Sequence, residues 1–169
     1  MTGILNIKPA LLLPLAMTAA LLLGRAASAE EIGRVGLDFQ GNDIVVEAFD
    51  DPKVQGVTCH LIRFDRGVVD RLVKGNWFEN PSNMSIACRQ TGPIVIGDIS
   101  LEEDGEEVFS QRASLVFKRL KVRRIYDAPR QTLVYVSFST EPLEASAKNS
   151  ISTVSLYGQN VQLPRPPGE

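Results

Sequence analysis

The chain beyond residue 29 is predicted to be mainly β, a single antiparallel-sheet domain of the sandwich or barrel type with at most one or two short helices. Three observations support this prediction. Apolar residues recur with a period of two, turn residues separate these segments at short intervals, and two long β-rich arms flank a short turn late in the chain. An α+β arrangement is the alternative, because one short segment has helical spacing.

The first 29 residues have the three parts of a secretory signal peptide. Lys8 precedes an uncharged, mostly apolar run over residues 9–23, and a small Ala-Ser-Ala triplet ends at Ala29. The run is shorter than the roughly 20 apolar residues that a membrane-spanning helix needs. We therefore expect cleavage after Ala29 and an exported product without an integral membrane segment.

Turn residues separate the first three predicted strands. Gly41-Asn42 divides VGLDFQ from DIVVEAF, which predicts a hairpin. Asp50-Asp51-Pro52 ends the second segment, since aspartate suits the first position of a turn and proline the second. The alternating segment VTCHLIR follows as the third strand.

The middle of the chain is less regular. VVDRLV has helical spacing and predicts a short amphipathic helix that ends before Gly75, after which WFENP indicates a loop. The strand around Cys88 is expected to stop at Gly92-Pro93. IVIGDIS then supplies another short apolar segment.

A long hairpin late in the chain is the clearest unit. SLVFKRLKVRRIY and QTLVYVSFS flank a DAPR turn, and both arms are rich in β-branched and aromatic residues. A change of apolar phase at Lys118-Arg119 indicates a bulge or a bend. ISTVSLY predicts the last strand, so the β-rich domain is expected over residues 30–158 and a disordered tail over 159–169.

The exported part of the chain is mildly acidic. Cleavage after Ala29 removes two of the 18 basic residues and no acidic one, which leaves 16 basic against 20 acidic side chains. This balance argues against a nucleic-acid partner and against an anionic membrane surface. LEEDGEE at 101–107 is acidic, whereas residues 112–130 are basic. We expect a solvated acidic turn beside a strand whose basic side chains face water; a basic face for an anionic partner is the alternative.

Cys59 and Cys88 are the two cysteines of the chain, and we expect them to form a structural disulfide. Export would take them to an oxidising compartment, where a bridge is the default. Each lies in an alternating segment on the same face as apolar neighbours, so both sulfurs are expected to point into apolar surroundings. A thiol redox role is the minor alternative, because the pair lacks the Cys-x-x-Cys spacing that lowers a thiol pKa.

The sequence offers no convincing catalytic or metal-binding set. His60 is the single histidine, so a zinc site with two imidazoles is excluded, and His60 is expected to be a surface or half-buried strand residue. Ser114 and Lys118 are too far apart along a strand to exchange a proton. We expect no catalytic residue, no cofactor and no metal.

Carboxylates are the remaining candidates for chemistry. Asp50 and Asp51 stand together at a strand end, with Asp38 and Asp43 across the predicted hairpin. Such a group could hold calcium or act as the acid and base of a glycosidase. Turn chemistry explains the Asp-Asp-Pro sequence without a ligand, and we favour that interpretation.

Five segments lie in order along the chain: EEIG, VVEAFDDPKVQGVTC, IACRQTGPI, SLVFKRLKVRRIYDAPRQTLVY and AKNSIS. Together they resemble the CreA family of exported bacterial proteins. The likeness covers most of residues 30–157, and the stretch between Arg63 and Asn83 departs from the glycine-rich segment usual in the family. The resemblance implies a periplasmic location and the same cysteine pair, and it brings no catalytic residues.

We therefore expect a small, disulfide-bonded periplasmic module, not an enzyme, that binds an unidentified protein or small molecule or supports the envelope. Three surfaces are candidates, and the sequence does not rank them: the Asp50-Asp51 turn, the Arg123-Arg124 face and the loop at Lys148-Asn149. A hydrolase that uses Asp50 or Asp51 as its base is the alternative from another class.

Overall fold

The computed structural model describes residues 27–75, 84–112, 119–140 and 149–162. Over these ranges the chain forms eight strands and one short helix. The strands form two antiparallel four-stranded sheets, in the orders β1-β2-β3-β4 and β5-β6-β7-β8. The predicted fold class is confirmed. The elements are β1 Glu30–Gly36, β2 Asp43–Asp50, β3 Val54–Asp65, α1 Val68–Lys74, β4 Met84–Ile96, β5 Glu106–Arg112, β6 Arg119–Asp127, β7 Thr132–Thr140 and β8 Asn149–Ser155.

The core lies between the inner faces of the two sheets, as in a sandwich. Alternation sets these faces: on β7, Leu133, Tyr135, Ser137 and Ser139 are buried and the residues between them are half-buried. Phe49 of the first sheet stacks on Phe109 of the second, with ring centroids 4.6 Å apart. Other core members include Val54, Val57, Leu61, Ile86, Val122 and Val154.

Along one side the two sheets meet edge to edge. β4 and β8 are their adjoining outer strands, and the backbone N–H of Cys88 donates to Ser152 Oγ at 2.8 Å. The described strands form two separate sheets and not one continuous barrel, and at Cys88 a side-chain hydrogen bond links β4 to β8.

The expected disulfide between Cys59 and Cys88 is present. The two residues are direct partners in the β3–β4 register, with Cα atoms 4.0 Å apart, and both side chains are fully buried. The close approach fits a pair that makes no ladder hydrogen bonds with each other, where side chains come nearest.

The first predicted hairpin is present, but the boundaries of its first strand were wrong. The strand was expected at VGLDFQ, whereas β1 begins at Glu30 and ends at Gly36. Asp38 explains the early end, because its carboxylate accepts hydrogen bonds from the backbone N–H groups of Gln40 and Asn42 and so fixes a turn. Residues 37–42 therefore form the connection.

The expected stop at Gly92-Pro93 was wrong, since β4 continues through both residues to Ile96. The register shifts here, because Gln55 pairs with Val95 and Val57 with Gln90, so residues 91–94 of β4 lie opposite the single Gly56 of β3. A bulge there leaves the ladder interrupted, so Pro93 can lie within the strand although it has no N–H to donate.

The second sheet contains one strand that the sequence interpretation missed. β5 begins at Glu106, within the acidic run that was assigned to a turn. The late hairpin and the last strand are confirmed as β6, β7 and β8. The proposed bulge beside Lys118, the candidate Ser114 and the loop residue Lys148 lie outside the described residues, as do residues 1–26 and 163–169. The signal peptide, domain limits and tail therefore stay predictions.

Within the described ranges, no helix is both long enough and apolar enough to span a bilayer.

Candidate functional site

The turn after β2 buries Asp51, which is only 5% exposed. Its Oδ1 atom accepts hydrogen bonds from the backbone N–H groups of Lys53 and Val54, at 2.9 and 3.0 Å. An aspartate before proline favours this turn geometry. The predicted turn is present, and its capping carboxylate lies inside the protein.

The Asp51 carboxylate also binds two side chains of the second sheet. Arg124 on β6 donates to Oδ1, and the Tyr135 hydroxyl on β7 donates to Oδ2 at 2.8 Å. Arg124 donates in addition to Oε2 of Glu106 at 2.6 Å, and Lys53 is ion-paired with the other Glu106 oxygen. We name these five residues the inter-sheet ion-pair cluster. It joins the turn after β2 to three strands of the second sheet.

Two groups of this cluster have shifted pKa values. Burial raises the pKa of Tyr135 far above its ordinary value, and the Asp51 carboxylate raises it further. Tyr135 therefore stays a hydrogen-bond donor at neutral pH. Burial also opposes ionisation of Glu106, but hydrogen bonds from Lys53 and from the backbone N–H of Ser100 outweigh it and lower the pKa. The arrangement keeps Glu106 charged opposite Arg124.

The cluster leaves little scope for Asp51 as a catalytic base. Two backbone N–H groups, the Arg124 guanidinium and the Tyr135 hydroxyl all donate to its two oxygens. A base must instead present a free lone pair to a substrate proton. Its neighbour Asp50 is exposed and accepts a hydrogen bond from Thr58 Oγ1 at 2.6 Å. The two aspartates thus have different surroundings and different partners.

The acidic segment and the basic strand largely neutralise each other. Lys121 is paired with Glu107 at 2.6 Å, and Arg123 with Asp104 at 3.1 Å. Arg124 is 1% exposed and points inward. The expectation that the basic side chains face water was therefore wrong for Arg124. Arg123 and Arg124 do not share one open basic face, because alternation directs them to opposite sides of β6.

The other sequence candidates are dispersed. His60 is half-buried on β3, as expected, and Asn149 is exposed at the start of β8. Asp38 accepts a hydrogen bond from the Asn42 side chain at 2.7 Å, whereas Asp43 is ion-paired with Arg34 at 2.9 Å. Across the described parts of the chain, no group of three or more His, Cys, Asp or Glu residues could hold a metal ion.

The predicted helix is confirmed as α1, but its apolar side faces solvent. Val68, Val69, Leu72 and Val73 are 53–71% exposed. Phe39, in the connection between β1 and β2, is fully exposed nearby. Gly67 brings these elements together, because a Cβ there would lie 2.0 Å from the backbone oxygen of Gln40. We name Phe39 and the four aliphatic residues the apolar surface.

Asp70 fixes this unusual orientation of α1. It is the buried residue of the helix, 1% exposed, and it pairs with Arg66 at 3.2 Å and Lys74 at 2.7 Å, one turn to either side. The hydrogen bond from Lys74 is the main cause that holds the pKa of Asp70 below its ordinary value. A charged anchor thus faces inward and the aliphatic side chains face outward.

Replacing Asp70 with asparagine is expected to destabilise the protein at neutral pH but not in acid. Because the folded state lowers the pKa of Asp70, its contribution is present above the ordinary value of about 4 and is lost as the pH falls through the lower folded value. The free energy of unfolding should therefore differ between wild type and Asp70→Asn at pH 7, and the difference should shrink towards about pH 3. Urea unfolding at both pH values measures it.

Asp98 supplies the matched control, because it is exposed. Asp98→Asn should change the free energy of unfolding by less than about 0.5 kcal/mol at either pH. An Asp70→Asn effect of equal size at pH 7 and pH 3 would contradict a role for the ionised carboxylate.

A second buried carboxylate was missed by the sequence interpretation. Glu47 is 4% exposed, and its Oε1 atom accepts hydrogen bonds from Arg63 at 3.0 Å and from Gln111 of the second sheet at 3.2 Å. The other oxygen has no partner. The available signal was that Glu47 shares one strand face with Val45 and Phe49, which places a charged residue on an otherwise apolar face.

A cleft of about 830 Å³ opens beside the ion-pair cluster. Its walls are residues 27–28, the turn at 50–53 and residues 106–110. Asp50 and Asp51 both contribute to it, so the predicted Asp50-Asp51 surface does border a concave site. The cleft combines charged groups with the apolar side chains of Val108 and Phe109.

By its fold and contacts, the molecule is a two-sheet antiparallel β protein held together by a cross-strand disulfide and an inter-sheet ion-pair cluster. The family model described as CreA protein matches residues 32–159. Protein CreA of Escherichia coli strain K12 is 46% identical over 142 residues, covering 79% of this chain and 88% of that protein, and Protein CreA of Escherichia coli O157:H7 gives the same values. The chain belongs to the CreA family. No solved structure matches it.

Proposed function

We propose that the protein is exported to the periplasm and acts there as a non-catalytic binding module. Three properties of the chain support export: the amino-terminal segment has signal-peptide character, the chain belongs to the CreA family, and a disulfide suits an oxidising compartment. Support of the envelope would be one use of such binding.

The apolar surface is the observation that carries the proposal. Exposed aliphatic and aromatic side chains mark interaction sites when they form a contiguous patch larger than those on typical soluble monomers. Here the helix uses a buried, ion-paired aspartate to hold its aliphatic side outward. Burying the Asp70 carboxylate costs desolvation energy. This cost has a functional explanation if the aliphatic side of α1 faces outward in order to bind a partner.

Photo-cross-linking in cells tests this function. A photoreactive amino acid at Val69, within the apolar surface, should give a discrete covalent adduct, whereas the same group at Thr153, exposed on β8, should not. Adding Leu72→Glu should abolish the adduct, because a charge would enter the contact. Equal labelling from both positions, or none from Val69, would count against a binding module.

Cell fractionation tests the location independently. Osmotic shock should release the protein, and sequencing of its amino terminus should begin at Glu30. A chain that stays in the cytoplasm with its first residues intact would refute the proposed export.

A carboxylate-dependent hydrolase is the second candidate, favoured by the cleft next to exposed Asp50. Asp50 would have to be the base, since the Asp51 oxygens already accept four hydrogen bonds. Turnover of a periplasmic glycan or peptide that falls at least about a hundredfold in Asp50→Asn would support it. Turnover that is unchanged in that variant would exclude Asp50.

A further inference from the structure

The two sheets meet differently on their two sides. On the β4–β8 side a hydrogen bond joins adjoining strands, whereas on the opposite side β2 and β5 face each other through side chains: Phe49 stacks on Phe109, and Gln111 donates to Glu47. The cleft lies on this second side, between the end of β2 and β5. We name it the β2–β5 groove.

The chain itself enters this groove just before β1. Glu30 pairs with Ala48, so the residues that precede Glu30 run alongside the end of β2. Ala27 and Ser28 line the groove together with residues 106–110. Ala27 and Ala29 pack against the apolar core.

β5 is the outer strand of the second sheet on this side, because β6 is its hydrogen-bonded neighbour. An outer strand presents backbone N–H and C=O groups that can pair with another extended segment. Val108 and Phe109 lie on it, each only 2% exposed, and Ser110 Oγ is buried without a hydrogen-bond partner. The groove therefore offers backbone groups, an apolar floor and an unused hydroxyl.

We propose that the β2–β5 groove binds an extended peptide, that residues 27–28 form one wall of it in the uncleaved chain, and that their removal by cleavage after Ala29 widens it for a partner segment with small apolar side chains. Small side chains are expected because the segment that borders the groove contacts the core through Ala27 and Ala29. Backbone pairing with β5 would supply affinity, and the apolar floor would select side-chain size. Only the cleavage step rests on the proposed export. The groove lies on a different face of the protein from the apolar surface.

Hydrogen exchange gives the first test, in two chains that begin at Ala27 and at Glu30. Both retain all eight strands and the disulfide, which circular dichroism and thiol titration verify. Loss of residues 27–29 should speed exchange of the amides at 106–110 at least about tenfold, while amides of β7 keep their rates. Equal rates at 106–110 in the two chains would overturn the proposal.

Peptide binding gives the second test, with acetyl-Ala-Ala-Ser-Ala-amide as the probe. The chain that begins at Glu30 should bind it at least tenfold more tightly than the chain that begins at Ala27, and the peptide should restore slow exchange at 106–110. Ser110→Trp should abolish binding by filling the groove, whereas Thr153→Trp on exposed β8 should not. Equal affinity of the two chains, or full binding by Ser110→Trp, would refute the groove.

These outcomes are separable from the proposed function. Cross-linking from Val69 reports on the apolar surface, and the two-chain comparison needs neither export nor a variant that folds. Failure of one test therefore leaves the other intact.

Discussion

Replacing Arg124 with methionine is expected to lower the free energy of unfolding by about 3–5 kcal/mol, because it removes the cation from between two carboxylates and leaves a buried charge uncompensated. Arg124 is 1% exposed and donates to both Asp51 and Glu106, so methionine leaves Asp51 inside the protein without its counter-charge. Urea unfolding at pH 7, followed by circular dichroism, measures the loss.

Arg123 is the matched control one position earlier on the same strand. It pairs with Asp104, whose side chain is 72% exposed, and such exposed pairs contribute at most about 1 kcal/mol. Arg123→Met should therefore be nearly neutral. Equal losses in the two variants would show that strand propensity or general charge balance, and not the inter-sheet cluster, explains the effect.

A further variant separates the salt bridge from simple packing. Replacing Asp51 with asparagine in the Arg124→Met background removes the unpaired charge while keeping a side chain of similar shape. Because breaking one partner of a buried pair costs more than replacing both, the double variant should recover part of the stability lost by Arg124→Met. The opposite outcome is a double variant that is less stable than Arg124→Met by as much as Asp51→Asn alone destabilises the wild type. Such additivity would argue against coupling between Asp51 and Arg124.

Local patterns predicted the strands whose alternation is complete. β7 and the turn before it carry a period of two and a Pro-containing turn, and both signals act over a few neighbouring residues. The disulfide could also be predicted, since Cys59 and Cys88 each occupy the apolar phase of a strand. These features depend on information within one segment or on one pair of residues.

The ion-pair cluster could not be predicted, because its members are far apart in the chain. Asp51, Glu106, Arg124 and Tyr135 come from a turn and three strands of the other sheet, and their contact depends on how the sheets stack. The acidic run at 101–107 also concealed the start of β5, since its charges suggested a solvated turn. Pairing with β6 gives Asp104, Glu106 and Glu107 basic partners on that strand.

The helix illustrates a different limit of the sequence pattern. Spacing predicted α1 correctly, but spacing alone does not say which side is buried. The usual assumption would turn the aliphatic residues inward. Here the side that carries Asp70 faces inward instead. Arg66 and Lys74, four residues away on either side, pair with its carboxylate and offset the cost of burying it. The single carboxylate of the helix, with cations at both i−4 and i+4, was the available signal.

Replacing Cys59 and Cys88 together with alanine is expected to lower the free energy of unfolding by about 3–4 kcal/mol. The bridge spans 29 residues, and closing a loop of that length restricts the unfolded chain by about this amount in the chain-entropy model. Both cysteines are fully buried, so the variant also loses packing. Urea unfolding of the wild type with and without dithiothreitol isolates the cross-link, since reduction keeps the sulfur atoms.

The same experiment separates a structural bridge from a redox-active one. A reductant must reach sulfur atoms that are 0% exposed, so reduction of the folded protein should require opening of the β3–β4 region. The rate of thiol release in dithiothreitol should therefore rise with urea, in parallel with unfolding, and the double variant should be insensitive to dithiothreitol. Rapid and complete reduction of the folded protein without urea would instead favour a bridge that cycles. In that case the disulfide would be part of the function and not only of the fold.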